Sequence, residues 1–507
     1  MVRILKYTGI AVLTLLTLFF GLVIYPFEQL SFPRQDYTAI LIKNISIIDV
    51  EKDSLLQHQD VLIRGQLIKA ISVHSIKGDK DSKIRTIDGT DQFLVPAFWD
   101  MHVHLTRQSP HVAYPEFLRH GITHVRDMRG AFVEHDPFAG VQSKLAEWNK
   151  GVENHRLLGP RLHGYTSFAI EGPSRMFKRN PSYFNCATPE DAVLLVRYLA
   201  QRGVTLIKLY NNIPREAFFT LMREAKKAGL EVAGHKPVRV STPEASNAGM
   251  KSLEHARFLI WDSFSGSERL RNSPDPIKQV NTQLRSKMLH EHDSLPLKEI
   301  FQAFIRNSTW YCPTHLTRKD EAFADDAQYR ARYQSINPVL KFISFEDLDA
   351  IVQEDTSVLG RKVFREFYTR GLILTGKAYK SGVKILAGSD VPELPGSSLH
   401  EELGELSKAG LPNYEVLRTA TLYPARYYGL ASTYGSIKPG KRADLVILDR
   451  NPLTDIKNTG SVAGVIFDGI FIDQGSFLSL KEKIEDRQNS LLMYAKLIWD
   501  IMVYMTI

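Results

Sequence analysis

The sequence predicts an α/β fold, in which a (β/α)8 barrel of the TIM type is joined to a small β-sandwich domain built from both ends of the chain. Short apolar runs alternate with helical patterns over residues 96–429, which is typical of repeated β/α units. Residues 37–95 and 430–477 instead contain short alternating runs broken by glycines, the pattern of β-strands. With 507 residues, the chain is long enough for one large domain and a smaller one.

The composition is that of a globular protein and argues against several classes of function. Hydrophobic residues make up 44% of the chain, which is enough for a sizeable core. The net charge of +8 is spread without a basic tract, so we predict no nucleic-acid partner. Cys186 and Cys312 stand far apart and outside any CxxC motif, so neither a disulfide framework nor a cysteine-rich metal site is indicated.

Residues 1–30 predict a signal anchor that holds the protein in a membrane. Arg3 and Lys6 precede an uncharged run from Thr8 to Tyr25, which is just long enough to cross the hydrocarbon layer as a helix. Because the positive residues lie before the run, we expect the bulk of the chain on the extracytoplasmic, periplasmic side. The alternative is a protein secreted after signal cleavage, but no small-residue cleavage site follows the run.

Residues 478–507 predict a C-terminal amphipathic helix. Lys496 and Asp500 are four residues apart in an otherwise apolar segment, so they form one polar stripe. We expect this helix to dock on the protein's own surface, and the alternative is that it lies in a membrane interface beside the anchor. The sequence leaves open whether the chain forms a homo-oligomer.

Eight apolar runs in the central region are candidate barrel strands. Helical patterns follow them, as residues 215–228 follow the fourth run, and active sites of (β/α)8 barrels lie at the carboxyl ends of the strands. The candidate strands are residues 97–102, 122–126, 161–164, 206–210, 231–235, 252–255, 309–313 and 384–390.

Potential metal ligands stand at the carboxyl ends of five of these runs. Alternate residues of a strand share a face, so the imidazoles of His102 and His104 project together, about 7 Å apart along the backbone. Taken singly, each residue has a simpler explanation, such as a packed histidine, a surface lysine or an aspartate that caps a helix. Their joint position at one barrel mouth predicts a metal site. The set comprises His102, His104, Lys208, His235, His255 and Asp390.

The same runs resemble motifs of the amidohydrolase superfamily, in particular the branch that contains imidazolonepropionase-like proteins and metal-dependent Xaa-Pro dipeptidases. The resemblance covers residues 37–477 and leaves out both terminal apolar segments. It rests on motifs at residues 96–104 (PAFWDMHVH), 203–210 (GVTLIKLY), 232–237 (VAGHKP), 252–255 (SLEH), 386–390 (LAGSD) and 435–448 (GSIKPGKRADLVIL).

The resemblance implies a site for two divalent metal ions, with zinc as the expected element. A lysine carbamate is an anion whose two oxygens can span ions about 3.5–4 Å apart, which an ammonium group cannot do. A water that bridges the ions would lose a proton near neutral pH and attack a carbonyl, with Asp390 as the general base that passes the proton to the leaving nitrogen. The implied ligands are His102, His104 and Asp390 for the first ion, His235 and His255 for the second, and carbamylated Lys208 for both.

Three further residues are candidate substrate contacts. Tyr210 shares the face of Lys208 by the two-residue period, so its hydroxyl can hydrogen-bond an oxyanion, although packing of the ring explains the residue equally well. His163 ends the third run, and His315 follows the seventh.

Two residues depart from the pattern of the family. Gly is frequent where Ala97 stands, a change that we expect to be harmless, and Val is frequent where Lys236 follows His235. Lys236 predicts an additional cation beside the metals that bears on the choice of substrate. Because every core ligand of the motifs is present, we expect an active enzyme rather than an inactive relative.

These observations predict a membrane-anchored, metal-dependent hydrolase of carbon-nitrogen bonds that acts on dipeptides or N-acyl amino acids. The enzymatic alternatives are hydrolysis of a cyclic amide and deamination of a small heterocycle, for which a pocket would select a ring by shape. An alternative of another class is a non-catalytic, membrane-tethered scaffold whose metals only brace the fold. The scaffold predicts that Asp390→Asn is tolerated, whereas the enzyme predicts loss of turnover.

Overall fold

The computed structural model describes residues 2–76, 83–130, 142–173 and 184–506. The predicted segments 1–30, 37–95, 96–429 and 478–507 each include residues outside these ranges. The fold is of the α/β class, as the sequence predicts. Its strands are β1 Ala39–Asp49, β2 Ser54–Arg64, β3 Leu67–Ser72, β4 Ile84–Asp88, β5 Phe93–Pro96, β6 Phe98–Val103, β7 Ile122–Asp127, β8 Arg161–Leu162, β9 Leu206–Leu209, β10 Glu231–Gly234, β11 Ser252–Glu254, β12 Trp310–Cys312, β13 Leu445–Leu448, β14 Val462–Phe467 and β15 Ile470–Asp473.

Helices alternate with the central strands and also form both termini. The helices are α1 Val2–Ile24, α2 Ala113–Arg119, α3 Gln142–Glu153, α4 Pro189–Gln201, α5 Arg215–Ala228, α6 Thr242–Asn247, α7 Arg257–Asp262, α8 Ser267–Arg271, α9 Thr282–His290, α10 Ser294–Asn307, α11 His315–Phe323, α12 Ala327–Arg330, α13 Pro338–Glu354, α14 Val358–Lys380, α15 Ser397–Lys408, α16 Asn413–Thr419, α17 Leu422–Tyr427, α18 Gln474–Gln488 and α19 Leu491–Thr506.

One eight-stranded sheet brings the two ends of the chain together. Its strand order is β15-β14-β13-β5-β1-β2-β3, and β4 pairs with β1. The C-terminal strand β13 lies antiparallel to β5, with Leu445 opposite Pro96, while β5 also pairs in parallel with β1. Isoleucines and leucines from both parts of the chain pack into one buried core. The strands therefore share a continuous sheet, which differs from the two facing sheets of the predicted sandwich, because β5 connects β1 to β13.

The central strands form two shorter parallel sheets. β6, β7 and β8 make a three-stranded sheet, and β12, β11, β10 and β9 make a four-stranded one. A parallel bridge between Thr166 and Leu206 connects the segment after β8 to β9. Seven of the eight candidate strands thus coincide with strands of the structure, although the third is shortened to Arg161–Leu162.

The eighth candidate, residues 384–390, forms an isolated bridge rather than a regular strand. Ile385 bridges in parallel to Tyr311 of β12. On the other side, the N–H of Met101 in β6 donates to the carbonyl of Ala387 at 2.9 Å, and the N–H of Asp390 donates to the carbonyl of His102 at 2.8 Å. This segment therefore hydrogen-bonds to both β12 and β6, and it brings Asp390 beside His102.

Helix α5 illustrates why the predicted helices form where they do. Apolar residues recur every three or four positions, so that Phe218, Leu221 and Ala225 are buried on one face of the helix. Gly229 ends the helix with a φ of 69°, the left-handed conformation that glycine adopts without steric cost. The expected helix at residues 215–228 has the bounds that the periodicity indicates.

The two terminal helices pack against each other. Residues Ile4–Ile24 of α1 are 21 residues long with a mean hydropathy of 2.2, and none of the most apolar window is buried, so length and composition permit it to cross a membrane. It is the one such helix among the residues that the structure describes. The rings of Phe20 in α1 and Trp499 in α19 lie 5.5 Å apart, and the Lys496 ammonium donates to the carbonyl of Val23 at 2.7 Å. The C-terminal helix thus packs beside α1, a contact that is consistent with both the expected docking on the protein and the alternative position beside the anchor.

Candidate metal centre

Three imidazoles and one carboxylate meet at the carboxyl ends of the central strands. His102 lies in β6, His104 just after it, His255 just after β11, and Asp390 follows the bridging segment 384–389. The Nε2 atoms of His102 and His104 lie 3.5 and 3.3 Å from Oδ1 of Asp390. Oδ2 of the same carboxylate lies 3.5 Å from Nδ1 of His255. Residues from three distant parts of the chain therefore surround one point.

The free nitrogens of this cluster fit a divalent metal ion. The Nε2 atoms of His102, His104 and His255 are buried and have no hydrogen-bond partner among the described residues. Ligand atoms about 2.0–2.2 Å from a tetrahedral zinc ion lie about 3.3–3.5 Å from one another, and the nitrogen-to-oxygen distances of 3.3 and 3.5 Å to Asp390 match that spacing. Buried polar atoms rarely stay unpaired, so a bound cation explains all three nitrogens.

Burial shifts the pKa of each of these groups towards its neutral form. It lowers the pKa of His102, His104 and His255 well below the ordinary value for histidine, so the imidazoles are neutral and keep a lone pair. Burial also raises the pKa of Asp390 to about 7, against an opposing effect of the Lys208 charge. A cation bound beside Asp390 would favour the ionised carboxylate and lower this pKa again.

A buried ion pair orients His102. Glu254 at the end of β11 accepts two bonds from the guanidinium of Arg126 at 2.9 Å each, and its Oε2 lies 3.0 Å from Nδ1 of His102. Both side chains of the pair are fully buried. Arg126 and Ser252 both donate to Glu254, so the group is an ionised carboxylate that accepts the Nδ1–H of His102. The Nε2 atom of His102 then carries the lone pair and faces Asp390. His102, Glu254 and Cys312 also lie close enough to form a separate metal cluster, but we favour the group with His255 and Asp390 because the Glu254 oxygens are already bonded.

His235 forms the next part of the cluster. Its ring lies 4.4 Å from that of His255, and its Nδ1 lies 2.8 Å from Oδ1 of Asn211. The guanidinium of Arg257 lies 3.0 Å from the same Asn211 oxygen and 2.8 Å from Nδ1 of His235, so both side chains contact that ring nitrogen. Tyr210 stacks on the other face of the ring at 4.2 Å between centroids. These contacts fix the position of the His235 ring beside His255.

Lys208 lies in β9 among these ligands. The residue is only 4% exposed, and burial lowers the pKa of its ammonium. After burial, the Lys208 charge is the largest influence that lowers the pKa of His102 and of His104, and it also acts on His235. The lysine is therefore within electrostatic reach of both the His102 and the His235 ends of the cluster.

Local backbone conformation at the site is unusual and explains part of the motifs. His255, Thr314 and Asp390 have φ values of 72°, 42° and 53°, a left-handed region that costs about 1–3 kcal/mol at a residue other than glycine. Gly388 stands where an added Cβ would come within 2.6 Å of the Cβ of His102 and of the sulfur of Cys312. The small residue in the Gly-Ser-Asp motif thus lets Asp390 approach the strand of His102.

Other predicted site residues lie in different surroundings. The ring of His163 stacks on Trp99 at 4.4 Å and its Nε2 lies 2.8 Å from Nδ1 of His124, and its role in substrate binding stays a prediction. His315 begins α11, is fully buried, and has no hydrogen-bond partner at either ring nitrogen within the described residues. Its role stays a prediction.

Lys236 forms a buried ion pair with Asp262. Its ammonium donates to the carbonyl of Val240 at 2.7 Å and lies 3.3 Å from Oδ2 of Asp262, which also accepts bonds from Thr242. The expectation of a free cation beside the metals is therefore wrong, because the side chain of Lys236 is satisfied between α6 and α7.

The sequence interpretation missed Glu254, Arg126, Asn211 and Arg257. One signal for the first two was present in the sequence. A glutamate in the short apolar run 252–255 and an arginine at the end of the apolar run 122–126 are charges in strands that we expected to be buried. Buried charges of opposite sign are almost always paired, so the two could have been matched.

Comparison with known proteins supports the family prediction. Residues 365–471, which include Asp390, match the Amidohydrolase family. Among curated proteins, no sequence matches this chain. The fold resembles a Xaa-Pro dipeptidase with bound methionine in its active site, with a TM-score of 0.60 and 21% identity over 86% of this chain and 100% of that one.

Two further solved structures share the fold. Bottromycin amidohydrolase has a TM-score of 0.66 and 20% identity, covering 93% of each chain. Molinate hydrolase has a TM-score of 0.61 and 16% identity, covering 91% of this chain and 98% of its own. The predicted resemblance to the amidohydrolase superfamily is confirmed. The family match also supports the prediction of a hydrolytic enzyme that acts on carbon-nitrogen bonds.

Proposed function

We propose that this protein of the amidohydrolase superfamily is a metal-dependent hydrolase of amide bonds in dipeptides or N-acyl amino acids. The observation that carries the proposal is the convergence of two unpartnered, buried imidazole nitrogens, Nε2 of His102 and of His104, on the carboxylate of Asp390. His255, whose Nε2 is also buried and unpartnered, adjoins the same carboxylate through its Nδ1 edge. His102, His104 and Asp390 would hold one zinc ion, and His235 and His255 a second. Lys208 would contribute to both as a carbamate.

The residues of the chain have separate roles in this reaction. When bound, the metal ions supply positive charge that polarises a carbonyl and lowers the pKa of water. Asp390 receives the proton of the attacking water and delivers it to the nitrogen of the leaving amine. Tyr210, stacked on His235, donates its hydroxyl to the oxygen that becomes negative. Glu254 and Asn211 keep the imidazoles of His102 and His235 in position.

Two arginines support a substrate with a free carboxylate. Burial raises the pKa of Tyr210, while the charges of Arg257 and Arg318 lower it, so both cations lie within electrostatic reach of the phenol. Both charges also lower the pKa of His255, after the larger effects of burial and of His102. Arg318 also pairs with Glu321. A carboxylate close to the scissile amide, as in a dipeptide or an N-acyl amino acid, would meet the charge of Arg257 and would compete with Glu321 for Arg318.

We also propose the domain arrangement that the sequence predicts. Residues 96–429 would close into an eight-stranded barrel, a proposal supported by the hydrogen bonds of the segment around Ile385 to both β12 and β6 and by the Thr166–Leu206 bridge. Residues 37–95 and 430–477 would form the second domain. Residues 1–30 would anchor the protein with its barrel on the extracytoplasmic side, because Arg3 and Lys6 precede the apolar run.

A substrate panel tests the proposed function. The full-length protein in detergent, supplied with zinc and bicarbonate, is assayed on dipeptides, N-acyl amino acids, their carboxamide-blocked analogues, cyclic amides and amino-substituted heterocycles. We expect turnover of linear amides with a free carboxylate, and for these substrates an increase of KM in Arg318→Met. The surface variant Arg223→Met should leave KM unchanged. Turnover confined to cyclic amides or heterocycles would contradict the proposal.

A further inference from the structure

The loop that follows His104 connects the candidate metal centre to both terminal helices. The amide of Gln108 donates to Asp500 of α19 at 2.9 Å, and Asp500 is buried. Three residues later, the ring of His111 lies 4.8 Å from that of Phe27, which follows α1. Only a few residues of the chain, from His104 to Gln108 and His111, therefore separate the metal centre from the contacts with the terminal helices.

Segments after two other strands contact the same region. Helix α13, which follows β12, packs on α19, and Asn337 at its start donates to the carbonyl of Gln488 at the end of α18. Val391, directly after Asp390, shares an apolar cluster with Leu348 of α13. In a β/α unit, the segment after a strand lies at the carboxyl end of that strand, where the metal centre also lies. The terminal helices therefore lie on the side of the protein where the site opens.

This side presents apolar surface that continues from α1. The 21-residue segment Ile4–Ile24 of α1 spans about 32 Å, close to the hydrocarbon thickness of a bilayer. Lys496 binds the carbonyl of Val23 at the last turn of α1, where a polar group marks the end of a membrane span. Met502 on α19 exposes 49% of its surface, and Phe342 on α13, the helix that packs on α19, exposes 63%. An anchor that ends here places these side chains at the lipid surface.

We propose that the candidate metal centre opens onto the membrane surface and that its substrate is an amphiphilic amide presented by the bilayer, such as a long-chain N-acyl amino acid. This inference rests on the proposed function. The fatty-acyl chain would stay in lipid along α19 and α13 while the amide enters the mouth beside Asp390. The carboxylate of the same molecule would meet the charges of Arg257 and Arg318.

The first experiment tests the orientation without relying on activity. The full-length protein is placed in phosphatidylethanolamine–phosphatidylglycerol vesicles, with a fluorophore on Phe342→Cys or, as the control, on Val73→Cys. Val73 is 64% exposed, like Phe342, but follows β3 in the sheet at the opposite, amino-terminal end of β6. The native Cys186 and Cys312 are buried, so labelling is directed to the new thiol. We expect nitroxide-labelled lipids to quench the label at 342 and to spare the label at 73; equal quenching, or stronger quenching at 73, would overturn the orientation.

The second experiment tests the substrate class. Vesicle-bound protein loaded with zinc is assayed on an acetyl and a palmitoyl derivative of the same amino acid. We expect kcat/KM to be at least about tenfold higher for the palmitoyl compound, because the bilayer concentrates it at the site. Hydrolysis of both at equal efficiency would overturn the membrane-borne substrate and leave the proposed function intact. Hydrolysis of neither would contradict the proposed function itself, and the quenching experiment would still decide the orientation.

Discussion

Replacement of Glu254 by glutamine removes the charge that pairs with Arg126 and orients His102. Both partners are fully buried, and the carboxylate accepts two bonds of 2.9 Å from the guanidinium. Breaking a buried pair of this kind costs about 3–5 kcal/mol, because the remaining charge has no compensation. Loss of the acceptor for His102 Nδ1 should also weaken metal affinity by about 10–100-fold.

The assay separates these two effects. Denaturant unfolding of the metal-free protein measures the free energy of unfolding, and competition with a chromophoric chelator measures zinc affinity. Glu231→Gln is the matched control, because Glu231 pairs with Lys251 while its side chain is 42% exposed, so a loss below about 1 kcal/mol and no change in affinity are expected. If Glu254→Gln binds zinc as tightly as the wild type and unfolds at the same denaturant concentration, the network does not orient His102.

Three further substitutions test individual contacts. Lys236→Met should destabilise the protein by about 1–3 kcal/mol in denaturant unfolding, because buried Asp262 loses one of its two cationic partners and keeps Arg271; an altered substrate preference at unchanged stability would instead favour a cation in the site. Tyr210→Phe should lower kcat by about 10²–10³-fold while zinc affinity is unchanged. An unchanged kcat in steady-state kinetics would show that the hydroxyl takes no part in the reaction. In Gly388→Ala, the added methyl group should clash with His102, lower the free energy of unfolding by about 1–3 kcal/mol and weaken zinc binding. Wild-type zinc affinity in chelator competition would contradict the close approach of the two segments.

Local patterns were enough to predict several features of the structure. The spacing of His102 and His104 and the apolar run before them predicted that the two imidazoles lie together at the end of one strand, because strand periodicity is a property of neighbouring residues. Likewise, the alternating runs at both ends predicted strands, and those strands meet in one sheet.

Features that depend on contacts between distant residues were not predicted. Glu254 and Arg126 are separated by 128 residues, and Lys236 finds Asp262 only after α6 and α7 have formed. His163 ends a candidate strand, as several ligands do, yet its ring stacks on Trp99. The direction of a side chain at the end of a short, irregular strand such as β8 depends on the pairing of neighbouring strands, which periodicity alone does not specify.

Metal content, measured together with turnover in wild type and Asp390→Asn, tests the central claim most directly. The full-length protein, purified in detergent and supplied with zinc and bicarbonate, is analysed by atomic emission and assayed on an N-acyl amino acid. We expect close to two ions per chain in the wild type, and loss of turnover with an unchanged circular dichroism spectrum in the variant. A protein that holds no metal under these conditions, or a variant that turns over substrate at the wild-type rate, would contradict the account.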